Sequence, residues 1–374
     1  MTRRALFPGP VAVAAAGCAR RDRPVGFAGL AFIANSEGRA VAAVDLTAFA
    51  VVRHIPLAAN PSEVLADPRR PLVYTLVPDS AELVTIHTRT LAVAGRVRLP
   101  SRGSTMRMGP GGGALWVSCQ GRRTVRIALD HLRIQGDWTH PAEISALDVA
   151  ADPFGKEIAA AASADALWLI QPGAGAPKSL PLAAGANTLS LAAFRRDGRT
   201  VMAADHDTAQ LWVFDTASRK LVVRLALGLR PRYFCAKPDG GELYLTGDGS
   251  DALVTVFPYL TEVRGTVLAG RSPGFVAASN SRILVANPES NDVSIVNATN
   301  QKVLAVAPVG KEPRAIAVTP DGNYALVLNS ASGDVSVLRL ANLGARPPSA
   351  APAAPALTMI PVGSRPVSLA IVEV

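Results

Sequence analysis

Several residue types and patterns that mark common protein functions are scarce in this 374-residue chain. Aromatic residues make up 5% of it, cysteine occurs three times, and no long block of Lys or Arg is present. A nucleic-acid surface usually clusters basic residues with stacking aromatics, so the net charge of +9 does not indicate nucleic-acid binding. The sequence has no zinc-type Cys/His spacing and no P-loop, Rossmann or G-x-S-x-G motif. We therefore expect no nucleic-acid partner, no metal and no cofactor.

Long apolar runs are missing beyond the N-terminus, which excludes a later transmembrane helix, since such a helix needs about 18 or more unbroken apolar residues. The first residues, MTRRALFPGPVAVAAAGC, combine a charged start, an apolar stretch and small residues before Cys18, as a secretory signal does. The ending AAGC resembles a bacterial lipobox, in which Cys18 is acylated. We expect residues 1–18 to direct export and 19–26 to be a short linker. The product would be a periplasmic or outer-membrane lipoprotein that meets the membrane only through its lipid.

The two remaining cysteines occur in strand-like segments. Cys119 ends ALWVSC, and Cys235 lies in RYFCAK, three repeat units away. Two buried thiols are favoured over a disulfide bond between such distant units.

A four-stranded unit recurs along the chain. Its third strand is an alternating segment before a polar turn, and the copies end at Asp45, His87, Ala128, Gln171, Asp215, Phe257, Asn297 and Arg339. The intervals are 40 to 44 residues, and helical signals are scarce. A period of this length built from strands alone is typical of a β-propeller with WD40-like repeats.

The unit reads as strands a, b, c and d, and eight copies of strand b are present, from LAFIAN near Leu30 to YALVLN at 324–329. The first copy has no strand a before it, whereas SLAIVEV (368–374) is a strand a with nothing after it. Pairing these two ends would close the ring and leave no open edge. We predict one all-β domain over 27–374 with eight blades, or seven if 144–183 is an insertion. The Pro/Ala-rich segment 341–356 reads as a c–d loop.

The segments ILVANPESNDVSIVNATNQKVLAVAPVGKEPRAIAVTPDG (283–322) and AFIANSEGRAVAAVDLTAFAVVRHIPL (31–57) resemble the YVTN-type β-propeller repeat family. Matching features are a strand ending in Ala-Asn, a polar loop, a V-S-V-I-D-like strand and an I-P-V-G-like ending. The resemblance implies the propeller fold over nearly all of 27–374. It leaves the activity open, because similar propellers include surface-layer proteins, secreted binding proteins, lactonases, quinoproteins and the haem d1 domain of a nitrite reductase.

In a propeller the b–c and d–a loops surround one mouth of the central channel, where we expect any site. The d–a segments contribute seven basic residues: Arg102, Arg230, Arg232, Arg271, Lys311, Arg314 and Arg365. The same segments contain three acidic residues, Glu63, Glu143 and Glu312. A positive funnel of this kind would bind a carboxylate, a phosphate or a polyanionic surface. The alternative is that these side chains are solvated or paired with acids of the b–c loops.

The segment AADHDTAQ (203–210) groups Asp205, His206 and Asp207. A metal site would lack further ligands, because alternate residues of an extended loop point apart. Asp or Asn recurs at this loop position in other units, at Asn35, Asp79, Asp248, Asn287 and Asn329. An Asx turn closing each b–c hairpin is therefore the favoured interpretation. None of the five histidines falls in strand a, which argues against haem binding or general-base catalysis, and His140, in a d–a loop, is a candidate to face the mouth.

We expect a non-enzymatic, monomeric propeller that binds a protein or an envelope polymer on its loop face. An anionic small molecule is also compatible with the funnel. One alternative is a lactonase-like or other hydrolytic enzyme, in which acids and arginines at the mouth act on the substrate. Another is a redox propeller that carries a quinone or a haem.

Overall fold

The computed structural model describes residues 26–180, 182, 188–341, 343 and 356–373. These residues form 32 strands in eight four-stranded antiparallel sheets. The innermost strands of successive sheets contact one another around a ring, which makes each sheet a propeller blade. The eight-bladed propeller is thus confirmed. No helix within these residues is long and apolar enough to span a membrane.

The first four blades contain β1 to β15 and two 3-10 turns. Blade 1 holds β1 (Gly29–Asn35), β2 (Ala40–Asp45) and β3 (Ala50–Pro56); blade 2 holds β4 (Glu63–Ala66), β5 (Leu72–Val77), β6 (Glu82–His87) and β7 (Ala92–Arg98). Blade 3 holds β8 (Gly103–Met108), β9 (Ala114–Cys119), β10 (Arg123–Ala128) and β11 (Arg133–Thr139); blade 4 holds β12 (Ile144–Ala151), β13 (Glu157–Ser163), β14 (Leu167–Ile170) and β15 (Lys178–Leu180). The 3-10 turns are Pro78–Ser80 and Pro110–Gly112.

The other four blades repeat the same order. Blade 5 holds β16 (Leu189–Phe194), β17 (Thr200–Asp205), β18 (Gln210–Asp215) and β19 (Leu221–Ala226); blade 6 holds β20 (Arg230–Ala236), β21 (Leu243–Asp248), β22 (Ala252–Phe257) and β23 (Glu262–Leu268). Blade 7 holds β24 (Val276–Ala278), β25 (Arg282–Asn287), β26 (Asp292–Asn297) and β27 (Val303–Pro308); blade 8 holds β28 (Pro313–Val318), β29 (Tyr324–Asn329), β30 (Asp334–Arg339) and β31 (Ala356–Pro361).

The last strand, β32 (Pro366–Glu373), completes blade 1 by pairing antiparallel with β1. Its register runs from Glu373 opposite Gly29 to Ser368 opposite Ala34. The predicted closure of the ring by the two chain ends is therefore confirmed. The segment that raised the seven-blade alternative forms blade 4, so that alternative is wrong.

Burial decreases from the middle of each blade to its outer edge. In β5, LVYTLV, five of six residues are buried, because both faces of this strand meet a neighbouring blade. In β23, EVRGTVL, exposed and half-buried residues alternate, as expected for a strand on the outer rim. Ile33 and Val44 of blade 1 pack in one cluster with Leu326 and Val337 of blade 8. Each such side chain contributes about 1.5–3 kcal/mol by burial, so neighbouring blades supply most of the core.

The meander gives the ring two different faces. The b–c turns and d–a connections lie on one side, which we call the loop face, and the a–b and c–d turns lie on the other, the turn face. Strand a of every blade is innermost and lines the central channel. The chain enters on the turn face, where Gly26 lies against Leu46 and Thr47 of the c–d turn of blade 1. Segment 1–18, most of the linker and most of the 341–356 connector lie outside the described residues.

The asparagines that end strand b do not form the predicted Asx turns. The Nδ2 group of Asn35 donates to the carbonyl of Val362 at 2.8 Å, and that of Asn287 donates to Ala269 at 3.0 Å. Both acceptors lie in the connection that arrives from the preceding blade. In Asn329 the same group donates to Asp334 Oδ1 at 2.6 Å. The Asx interpretation is wrong at these positions, because an Asx turn uses the side-chain oxygen as acceptor, and here Oδ1 has no partner.

Deleting residues 366–374 should abolish cooperative thermal unfolding. The deletion leaves the β1 edge unpaired and uncovers blade 8, and the loss of a whole strand is large beside the 5–15 kcal/mol stability of an ordinary domain. Circular dichroism melting and size-exclusion chromatography measure the effect. Glu373→Ala, at the exposed end of the same strand, should melt like the parent chain. A truncated chain that remains monomeric with an unchanged Tm would contradict closure by β32.

Candidate functional site

The structure places all seven basic residues chosen from the sequence on the loop face, in d–a connections or at the start of strand a. Four of them form ion pairs with acids of the same face. Arg365 contacts Glu37 at 2.9 Å and Arg102 contacts Asp79 at 3.2 Å, so each pair joins a connection to a b–c turn. The other two pairs are Arg232 with Asp248 at 3.3 Å and Arg314 with Glu312 at 3.7 Å.

These pairs remove much of the positive charge that the sequence assigned to the mouth. Among the described residues, no carboxylate lies at ion-pair distance from Arg230, Arg271 or Lys311. The three acidic residues of the d–a segments, Glu63, Glu143 and Glu312, do not lie together. Glu143 accepts the backbone N–H groups of Gly121 and Arg122 and so stabilises a b–c turn, Glu312 pairs with Arg314, and Glu63 lies on β4 in the channel wall.

Blades 5 and 6 build the densest polar group of the loop face. Asp205 accepts the N–H groups of Asp207 at 2.9 Å and Thr208 at 3.1 Å, which is the Asx turn predicted for this loop. The turn presents His206 between two carboxylates. His206 Nδ1 lies 3.0 Å from Asp207 Oδ1, and Nε2 lies 3.1 Å from Asp248 Oδ2. Because Asp248 also contacts Arg232, the chain of contacts continues into strand a of blade 6.

The two carboxylates change the acid–base behaviour of this group. Hydrogen bonds to Asp207 and Asp248 raise the pKa of His206 above its ordinary value of 6.5. The hydrogen bond to His206 lowers the pKa of Asp207. Burial opposes the same effect at Asp248, but the contacts with His206 and Arg232 still hold its pKa below the ordinary range. The two carboxylates therefore favour the protonated imidazole over the neutral one.

A cavity of about 550 Å³ opens beside this group. It is lined by residues of blades 4, 5 and 6, namely Ser145, Ala164, Thr188, Leu189, Ser190, His206, Arg232 and Asp248. Ser145 Oγ donates to the carbonyl of Leu189 at 2.6 Å, and Ser190 Oγ donates to that of Pro231 at 2.8 Å. Each hydroxyl proton thus links one blade to the next, while the hydroxyl oxygens can still accept a hydrogen bond from a ligand.

The channel wall holds two charged groups that sequence reasoning missed, Arg107 and Asp148. Arg107 on β8 contacts Glu63 on β4 at 3.3 Å, and Glu63 also accepts the N–H of Met106 at 2.8 Å. Asp148 on β12 accepts the N–H of Phe194 in blade 5 at 2.7 Å. Burial raises the pKa of both carboxyl groups. Each carboxylate satisfies an N–H of the next blade's innermost strand, so their first role is to join blades.

His140 does not face the mouth, contrary to expectation. It is 2% exposed, its Nε2 lies 3.0 Å from Thr124 Oγ1, and its ring packs edge-on against Trp168. Burial lowers the pKa of His140 to about 4. A b–c loop histidine, His206, faces the mouth instead. In the sequence, His206 is flanked by Asp205 and Asp207, a pattern that the sequence analysis explains by an Asx turn alone.

Neither cysteine nor metal chemistry is assembled in the part of the chain that the structure describes. Cys119 and Cys235 are free thiols, and burial raises their pKa values to about 12 and about 11. Such thiols are unreactive near neutral pH. No three His, Cys, Asp or Glu residues within 26–180, 182, 188–341, 343 and 356–373 are grouped to hold a metal ion.

Comparison with solved structures shows the fold. The dihydro-heme d1 dehydrogenase NirN, in complex with DHE, superposes with a TM-score of 0.73 at 15% identity, over 98% of this chain and 79% of that one. Kuenenia stuttgartiensis hydrazine synthase gives 0.58 at 14% identity, over 88% of this chain and 99% of that one. The Myceliophteria thermophila Cps50 (Swd1) β-propeller domain gives 0.61 at 13% identity, over 75% and 97%. Neither a scan of protein-family models nor a search of curated proteins finds a match.

His206 should make the ring more stable at mildly acidic pH than at alkaline pH. Its pKa is raised in the folded protein, so its contribution is complete below 6.5 and is lost as the pH rises through the raised value. For this partly exposed group we expect about 0.5–1 kcal/mol. Thermal melts of the parent chain and of His206→Gln, from slightly below pH 6.5 into the alkaline range, measure it. The Tm difference should shrink as the pH rises, and a constant difference would refute the ion-pair interpretation.

Proposed function

We propose that this chain is an exported, lipid-anchored β-propeller that binds a protein or an envelope polymer on its loop face without catalysing a reaction. The proposal rests on the hydrogen bonds made by Ser145, Ser190 and His206, which line the cavity of about 550 Å³ on the loop face. A serine-type hydrolytic site needs a hydroxyl nucleophile whose proton passes to a free base. Here the serine protons go to carbonyl groups of the next blade, and both imidazole nitrogens lie against carboxylates.

The same hydrogen bonds favour the binding of a ligand or partner. Polar groups fixed by their neighbours lose little conformational freedom when a ligand binds, and this lowers the cost of association. Arg230 and Arg232 are exposed at the start of strand a in blade 6, and Arg232 lines the cavity. His206 adds a further cation when protonated. These groups favour an acidic segment, a carboxylate or a phosphate carried by the partner.

The proposal includes the N-terminal segment, whose MTRR start and AAGC ending support export and acylation of Cys18. An acylated cysteine would hold the propeller at a membrane while the loop face remains accessible.

Replacing Arg230, Arg232 and Arg314 with Ala should weaken partner binding at least about tenfold, since each charge-assisted hydrogen bond contributes roughly 1.5–3 kcal/mol. The tagged chain from residue 19 captures its partner from the native envelope, and the purified partner then gives a Kd. Arg224→Ala, an exposed arginine on the outer strand of blade 5, serves as the matched control. Unchanged affinity in the triple variant, or lactone hydrolysis that the triple variant loses, would overturn the proposal.

Cys18→Ser should abolish acylation and move the protein from the membrane fraction to the soluble fraction of the cell. Incorporation of labelled palmitate and fractionation of the producing bacterium measure the two effects. Cys235→Ser, which changes a partly buried thiol of the propeller, is the control and should keep both label and location. A parent chain without label, or a Cys18→Ser variant that stays labelled, would refute the anchor.

A further inference from the structure

The turn face carries exposed apolar side chains in an unusual position. Among the described residues, most exposed large hydrophobic side chains lie on outermost strands: Val52, Ile134, Leu221, Val222, Leu268, Val303, Val306 and Met359. Three others lie at turns. Phe154, in the a–b turn of blade 4, is 84% exposed, and Tyr259 and Leu260, in the c–d turn of blade 6, are 49% and 65% exposed. These three side chains project into solvent from the tips of the turn face.

Basic side chains flank these apolar groups. Lys156 and Lys178 of blade 4 and Arg219 of blade 5 are exposed, and no carboxylate of the described residues lies at ion-pair distance from them. The nearby acids are used by the turns. Asp152 accepts the N–H groups of Phe154 and Lys156 at 2.9 and 2.8 Å, and Asp197 pairs with Arg195 at 2.7 Å. Of the charged residues that line the space between blades 4 and 5, three are basic and one, Asp152, is acidic, which leaves a positive balance there.

Two features join neighbouring blades in this part of the turn face. Phe154, Lys156, Lys178 and Arg219 line one shallow cavity of about 350 Å³ between blades 4 and 5. Between blades 5 and 6, the guanidinium of Arg195 lies 4.8 Å from the centre of the Tyr259 ring. We define the turn-face patch as Phe154, Lys156, Lys178, Arg219, Tyr259 and Leu260.

The N-terminus leaves the ring on this same face, since Gly26 lies against the c–d turn of blade 1. Cys18 is eight residues upstream of Gly26 (26 − 18 = 8). Eight residues reach at most about 28 Å when fully extended, at about 3.3–3.6 Å per residue. A lipid on Cys18, which is part of the proposed function, would therefore keep the c–d turn of blade 1, on the turn face, within about 28 Å of the bilayer.

We propose that the turn-face patch binds the surface of an anionic lipid bilayer. Aromatic and aliphatic tips fit the boundary between headgroups and acyl chains, while Lys and Arg contact lipid phosphates. A basic apolar patch on the anchored face supplies an attachment in addition to the lipid. The patch thereby fixes which side of the ring faces the membrane.

Vesicle flotation tests the patch without the lipid anchor. The chain from residue 19 contains every strand of the closed ring and no acylation site. It should float with vesicles of equal parts phosphatidylcholine and phosphatidylglycerol, and not with phosphatidylcholine alone. Lys156→Glu/Lys178→Glu/Arg219→Glu should reduce the partition at least about tenfold, because each basic residue near an anionic surface contributes about 1 kcal/mol. Phe154→Ser/Leu260→Ser should also reduce it.

Matched controls separate the patch from general charge and hydrophobicity. Arg224→Glu and Val222→Ser/Val306→Ser alter exposed residues of outer strands and should float like the parent chain. Melting curves confirm that each variant is folded. If the parent chain stays unbound, or if patch and control variants partition equally, the proposal is overturned. The loop-face triple variant should float normally, and patch variants should bind the envelope partner normally, so failure of one proposal is distinguishable from failure of the other.

Discussion

The propeller depends on one constraint: a blade of about 42 residues with two apolar faces cannot bury either face by itself. Strands b and c are buried on both sides only because a neighbouring blade covers each of them. Blade 1 obeys the same rule, and its cover against blade 8 requires that β32 return to β1. The channel, the two faces and the cavity between blades 4, 5 and 6 all follow from this mutual covering.

Strand positions were predictable because they depend on local signals. Alternating apolar residues and turn residues such as Pro-Asp-Gly mark each strand within its own unit, and the register inside a hairpin follows from its turn. Ring closure was predictable as well. The first unit lacks strand a, and the final strand a belongs to no other unit, so pairing the two completes a blade. Even the weakest repeat, blade 4, kept its four strands because the period places them there.

Contacts between blades were not predictable from the sequence. Asn35 and Asn287 bind a carbonyl of the connection from the preceding blade, and nothing in their local sequence distinguishes this from an Asx turn. Sequence reasoning put the seven basic residues on the loop face but gave no partners, because an ion pair such as Arg365–Glu37 joins opposite ends of the chain. His206 and Asp148 depend on neighbouring blades in the same way.

The pairing of Gly29 with Glu373 has a consequence for biogenesis. During synthesis, β1 has no partner on this edge until β32 has been made. Until then its hydrogen-bonding edge is open to other chains, which favours chaperone binding or misassembly over that interval. The first blade therefore completes its sheet only after the strands of the other seven blades have been synthesised.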